Sequence, residues 1–429
     1  MSENEIPRSR KSYLLRMAAQ VAVQQGKKIL QADPETRLQT LLEQAHVVVN
    51  HVGKLKGAAM KAIQSLSIEG ADFIPPEVIQ VLEKLQSQAP PIKSEVLMDQ
   101  LKKELGEEKF SLLKHISEKP IASASIGQVY KAQFNDQDVV VKIQYPGVAE
   151  SVDEDIDTLS TLLKGLLVVS GKKVRFGELM EEVRRVLKME TDYLHEMENL
   201  IRYKKGFDGS EYIIPDVFPE MTTSKVLTMS YQEGLEYTEW LKTNPTDDQR
   251  KAVAKQLLSL YNKEFFENRL VQTDPNPANF LINKDNKMVI LDFGATLEFD
   301  LEFVKEYQTL VRTVFSEDRD KILEQVYTMN FLDSREDKEC QDMFIDFLLL
   351  SMTHFDLKHQ PFDFGDSEYS QTVRTEAMKF SRKLVYSAPP KKLIFLHRKL
   401  GGIFMLVKKM NIKADLTEFR EIMLDKDFF

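Results

Sequence analysis

The chain has 429 residues, 42% of them hydrophobic and 29% charged, the balance of a globular domain rather than a disordered tail. A net charge of −9 argues against a protein that coats nucleic acid, so no nucleic-acid partner is expected. A single cysteine, Cys340, excludes an intrachain disulfide and any multi-cysteine metal site. It fits a reducing compartment, and with no nucleophile motif around it reads as an inert thiol.

The first residues, Met1 to Pro7, are polar and carry no apolar stretch, so no secretory leader is expected. No run approaches the ~18 uncharged apolar residues that a membrane-crossing helix needs. The expected location is cytoplasmic, with peripheral membrane contact left open. Residues 8–65 read as helical, because Leu38, Leu41, Leu42, Ala45 and Val49 recur at helical spacing. Val47, Val48, Val52 and Leu55 offer an apolar face there, for which core packing competes with a membrane surface. A loop spans Gly70 to Pro76, and the next helix runs to Gln88, where Pro90 and Pro91 stop it. Residues 94–116 read as helix again.

The periodicity then changes. Ala124 to Ala132 reads as a strand, Asn135-Asp136 as a turn, and Asp138 to Gln144 as a second, mostly buried strand ended by Pro146-Gly147. Residues 150–169 and 176–204 read as two helices, with further strands at Ile213 to Val217 and Lys225 to Tyr231. Glu233-Gly234 makes a turn. From Thr246 the chain is mainly helical, broken by two short strands, Asn279 to Asn283 and Met288 to Leu291, that form a hairpin. The expected organisation is a helical segment over 1–114, a small mixed lobe over 115–235 and a mainly helical lobe over 236–429.

Three features carry chemistry. Lys142 interrupts the apolar run Val139-Val-Val-Lys-Ile143, and a buried ammonium needs an acidic partner or a phosphate. Glu196 is the expected partner. Asp274 and Asn279 stand at the D-x4-N spacing of a kinase catalytic loop, and Asp292-Phe-Gly294 follows. In such a site the first Asp positions an acceptor, while an amide oxygen and a second carboxylate, Asn279 and Asp292, hold Mg2+. The stretch Ala122-Ser123-Ala124-Ser125-Ile126-Gly127 precedes the lysine strand where a nucleotide loop would lie. Alanine and serine replace its first glycines, which restricts the backbone.

With these motifs in view the sequence resembles the UbiB family of atypical, protein-kinase-like proteins, and within it the branch linked to coenzyme Q biosynthesis. The likeness runs from about residue 53 to 415. Ala122 to Val129 is similar to the family's alanine-rich loop, Lys142 to its nucleotide lysine, and Glu190-Thr-Asp192 to its ExD motif. Gln272-Thr-Asp274-Pro-Asn-Pro-Ala-Asn279, Leu291-Asp-Phe-Gly-Ala295 and Leu396-His-Arg-Lys-Leu-Gly-Gly402 match that branch. Lys61-Ala-Ile-Gln64 is similar to the signature Lys-x-Gly-Gln, with Ile63 in place of the glycine.

The resemblance implies an α+β, bilobal protein-kinase-like fold with a helical N-terminal extension packed over the nucleotide cleft. It implies ATP and Mg2+ as cofactors, held by residues 122–127, Lys142, Asn279 and Asp292, with Asp274, Lys142 and Glu196 catalytic. It also implies a gate formed by Lys61 and Gln64 against Glu190 and Asp192, which would exclude ordinary protein substrates. The expected partners are an adenine nucleotide and a lipid or quinone precursor, with oligomeric state undetermined. The expected activity is Mg-dependent ATP hydrolysis or phosphorylation of a small molecule or lipid. A kinase acting on protein and a non-catalytic, ATP-dependent scaffold or chaperone for a lipid-biosynthesis complex stay open.

Overall fold

The computed structural model describes residues 62–63, 93–124, 126–170, 176–207, 212–387 and 390–425. The loop expected at 70–76, the helix ending at Gln88 and nearly all of the helical stretch 8–65 lie outside them. Ala62 and Ile63 are helical and fully buried. The described residues form two compact units, one reaching Met197 and adding Val217–Tyr231, the other comprising Glu198–Asp216 and the chain from Gln232 onward.

The first unit is built on an antiparallel sheet of four strands in the order β1-β2-β3-β4: β1 (Ala122–Ala124), β2 (Gly127–Phe134), β3 (Gln137–Gln144) and β4 (Val226–Ser230). Successive side chains of a strand point to opposite faces, so alternate residues share an environment. Tyr130, Ala132 and Phe134 of β2 join Val139, Val141 and Ile143 of β3 in one apolar cluster. Helix α1 (Ser94–Leu112) covers that face with Leu97, Leu101 and Leu105, spaced one turn apart. Lys142 therefore belongs to the opposite face. The β2–β3 turn is Asn135-Asp136, both with positive φ (50° and 59°), the conformation of a two-residue hairpin that Asn and Asp tolerate.

Two sequence expectations change here. The single strand 124–132 is a tight hairpin, with Ala124 paired to Gly127 across its turn. Gly127 allows it: a Cβ there would lie 2.3 Å from the Ile143 carbonyl oxygen of the neighbouring strand. The single helix 176–204 is two, α3 (Phe176–Glu190) and α4 (Tyr193–Gly206), preceded by α2 (Val148–Ser170). The interruption falls at Thr191-Asp192, where Asp192 Oδ1 accepts the Leu194 N–H at 3.1 Å and caps α4. Helices α2 and α3 are joined by Arg184, which bridges Asp153 (2.9 Å) and Asp157 (2.6 Å).

The second unit is mainly helical. Its long helices are α6 (Asp247–Asn262), α7 (Leu301–Phe315), α9 (Lys338–Met352), α10 (Ser367–Lys383) and α11 (Lys391–Lys409); shorter ones are α5 (Tyr237–Lys242), α8 (Arg319–Thr328) and α12 (Thr417–Leu424). Thr246 and Gln249 start α6 with a capping box, and Asp300, Asp318, Asp337 and Asp366 cap α7 to α10. Tyr261, Phe265, Phe266 and Phe299 are buried together as an aromatic core. The expected hairpin is present as β7 (Phe280–Ile282) and β8 (Met288–Ile290), which pair with β5 (Leu235–Glu236) in the order β5-β7-β8.

Helical periodicity concealed a second pair of strands, β6 (Leu270–Gln272) and β9 (Thr296–Glu298), which run antiparallel on either side of that hairpin in sequence. The strand expected at Ile213 to Val217 is reduced to isolated bridges at its two ends. A last pair, β10 (Phe362–Asp363) and β11 (Lys413–Ala414), lies among the C-terminal helices. Among the described residues no helix is long and apolar enough to cross a membrane. Cys340 is buried, which pushes its thiol up to about 11 and leaves it protonated at neutral pH.

Candidate functional site

In the first unit the centre of interest is the face of β3 away from the leucine cluster. Lys142 Nζ lies 2.9 Å from both Glu196 carboxylate oxygens, with side chains only 10% and 2% exposed. Glu196 stands in the first turn of α4, so the break at Thr191-Asp192 is what aims it at the lysine. Gln144, also on β3, donates Nε2 to the Thr191 carbonyl at 2.9 Å and ties the strand to that junction. The Tyr193 ring centroid is 4.9 Å from Lys142 Nζ, a favourable place for a cation beside an aromatic face. Tyr193 was not singled out in the sequence; only its position, one turn before Glu196, marks it.

The alanine-rich stretch forms the β1–β2 hairpin. Ala122 and Ser123 are exposed, Ser123 pairs with Gln128, and Ile126 is buried with its carbonyl accepting the Tyr145 N–H at 2.9 Å. Ser125 lies outside the described residues, as do Lys61 and Gln64. Glu190 ends α3 half-buried, and Asp192 is exposed as the cap of α4.

In the second unit Asp274, Asn279 and Asp292 are carried by short segments between strands. Asn279 donates Nδ2 to Asp274 Oδ2 (3.1 Å) and to the Asp274 carbonyl (3.1 Å). The backbone carbonyl can only accept, so the amide nitrogen must face it and Oδ1 is turned away. The Leu291 N–H donates to the Asn279 carbonyl at 3.0 Å, linking this turn to the segment that carries Asp292. Asp292 Oδ1 accepts the Gly294 N–H at 3.0 Å. The Phe293 carbonyl accepts from Asn199 Nδ2 (3.1 Å) and Thr296 Oγ1 (2.8 Å), holding the Asp-Phe-Gly backbone from two sides. The donor set is two carboxylates and one amide. Among the described residues no three His, Cys, Asp or Glu side chains gather as a metal cluster.

Beneath Asp274 lies a buried ionic pair that the sequence did not reveal. Lys399 Nζ is 3.0 Å from Glu264 Oε2 and 3.0 Å from Gln272 Oε1, and all three side chains are fully buried. Glu264 Oε1 also accepts from the Tyr203 hydroxyl (2.7 Å) and the Gln272 N–H (3.1 Å). Burial pushes the Glu264 carboxyl up and the Lys399 ammonium down, and their mutual contact opposes both shifts.

The ABC1 atypical kinase-like domain matches residues 84–326. The chain is 32% identical to the mitochondrial atypical kinase COQ8 of Saccharomyces cerevisiae over 385 residues, covering 87% of this chain and 75% of that protein. It is 32% identical to its Schizosaccharomyces pombe counterpart over 384 residues, covering 88% and 62%. Among mitochondrial relatives the share of their length that the chain spans runs from 48% to 75%. The solved structure of the Mycobacterium tuberculosis Rv3197–erythromycin complex superposes with a TM-score of 0.59 at 24% identity, covering 91% of this chain and 98% of that one. The fold is thus the mixed α+β, bilobal arrangement of helices and strands found there. Taken with the sequence identity to the yeast proteins, these matches make the chain a member of the ABC1 family of atypical kinase-like domains.

Proposed function

We propose that this chain binds ATP with Mg2+ and transfers its terminal phosphoryl group to water or to a small acceptor, in support of quinone or isoprenoid-lipid metabolism. The observation that carries the reading is the Lys142–Glu196 pair, 2.9 Å apart and almost fully buried. A desolvated ammonium held by a carboxylate is costly to build for stability alone. It is the arrangement that keeps a lysine charged and fixed for a phosphate. The names of the yeast relatives as atypical kinases support the same class.

In this reading Lys142 would contact the nucleotide phosphates, with Glu196 limiting its rotamers. Residues Ala122, Ser123, Ala124, Ser125, Ile126 and Gly127 would line the nucleotide. Asn279, through the Oδ1 turned away from Asp274, and Asp292 would hold the metal; two hard oxygens fit an ion that takes its remaining ligands from water and phosphate. Bound magnesium supplies charge neutralisation for a transferring phosphoryl group. Asp274, kept in place by Asn279, would orient the acceptor and take its proton. Lys61 and Gln64, with Glu190 and Asp192, would gate access, and the fold would be organised as an extension (1–114), a mixed lobe (115–235) and a helical lobe (236–429). The cytoplasm, with or without a peripheral membrane contact, is the proposed location.

The test is incubation with terminally labelled ATP, Mg2+ and a lipid extract, following phosphate release and label transfer separately. Asp274→Asn should lower the dominant activity by about 10²–10⁴-fold, the range for loss of a positioned acid or base. Undiminished turnover by that variant removes Asp274 from the chemistry.

A further inference from the structure

The segment Gln272 to Pro275, which delivers Asp274, is held by one short stretch of α11. Arg398 donates Nε (3.0 Å) and Nη2 (2.8 Å) to the Thr273 carbonyl. Lys399, the next residue, reaches Gln272 Oε1 at 3.0 Å. One turn on, Gly402 lies under Pro275, where an added Cβ would come within 2.2 Å of the proline ring.

The direction of the Gln272 amide follows from its partners. Glu264 Oε1 accepts from the Tyr203 hydroxyl and from the Gln272 N–H, and Lys399 stands against the same carboxyl group. The Asp274 backbone carbonyl can only accept, so Gln272 must turn Nε2 to it and Oε1 to Lys399. Nε2 meets that carbonyl at 2.8 Å. The same carbonyl receives Asn279 Nδ2 at 3.1 Å, so the backbone of Asp274 is pinned by two amides.

We infer that Lys399, acting through Gln272, and Gly402, acting through Pro275, are positioning residues that set where the Asp274 carboxylate stands. The inference rests on the reading of Asp274 as the acceptor-orienting acid. The chain of contacts begins at the buried Glu264 side chain and ends at the backbone of the reactive turn. A purely structural role would ask only that Lys399 be neutralised. The positioning role asks in addition that Gln272 donate a proton on its far side.

Gln272→Glu separates the two. It keeps the shape and gives Lys399 a stronger acceptor, but removes the donor to the Asp274 carbonyl. Turnover of Mg-ATP by the folded protein should fall by about 10²-fold in kcat, the scale of a roughly 1 Å misplacement, with KM for ATP unchanged. Gly402→Ala, which displaces Pro275 from the other side, should give the same split and decides the matter if Gln272→Glu does not fold. Parental kcat in both variants, beside an inactive Asp274→Asn, overturns the positioning role and leaves the assignment of Asp274 standing. Parental turnover in Asp274→Asn removes that assignment and the positioning role together.

Discussion

Lys142 and Glu196 are the residues in which burial and charge conflict most plainly. A lysine in a run of valines states the conflict in the sequence, and an acid was needed to resolve it. The contact with Glu196 was legible for that reason. Its geometry was not, because Glu196 reaches the lysine only where the helix is interrupted. Removing one partner strands the other without water. Lys142→Met should therefore destabilise the fold by about 3–5 kcal/mol, and the double change Lys142→Met with Glu196→Leu by much less. Urea unfolding of the three proteins measures this; equal losses in the single and double variants would contradict a coupled pair. Gln272 and Lys399 show the opposite case. Both lay inside motifs that matched a family, yet nothing in their local pattern says that a glutamate eight residues before Gln272 would complete the set.

At the scale of elements, the strands of the first unit could be read because alternation and turn chemistry agree there. Asn135-Asp136 ends one strand and starts the next, and the valines of β3 fill both faces. The short strands β6 and β9 could not be read. Three residues carry too little periodicity, and each sits beside helical sequence that dominates any window. The helix expected over 176–204 failed for a different reason. Apolar spacing continues through Thr191-Asp192, and the interruption is visible only as a capping residue before a fresh acidic first turn. That cap has a consequence of its own. Asp192→Ala should lose about 1 kcal/mol from α4. Because Glu196 lies within the first turn of the same helix, amide exchange at residues 194–197 should quicken. Unchanged exchange there would mean that packing alone starts the helix.

For the whole molecule, a small lobe of strands and helices followed by a helical lobe was legible in the order of periodicities, and the Rv3197 superposition agrees with that fold. The division of the chain was less legible, since Val217–Tyr231 returns to the first unit after the chain has entered the second. Strand β4 pairs with β3 across more than eighty residues of sequence, and no local signal announces such a partner. The claim on which the functional account depends is that Mg2+ and ATP bind together through Asp292. Calorimetric titration of ATP, with and without Mg2+, into the parent and Asp292→Asn tests it most directly. The expected result is Mg-dependent binding in the parent and an affinity at least about tenfold weaker in the variant, a loss of ~1.4 kcal/mol. Equal affinity in the two proteins, or binding indifferent to Mg2+, would contradict it.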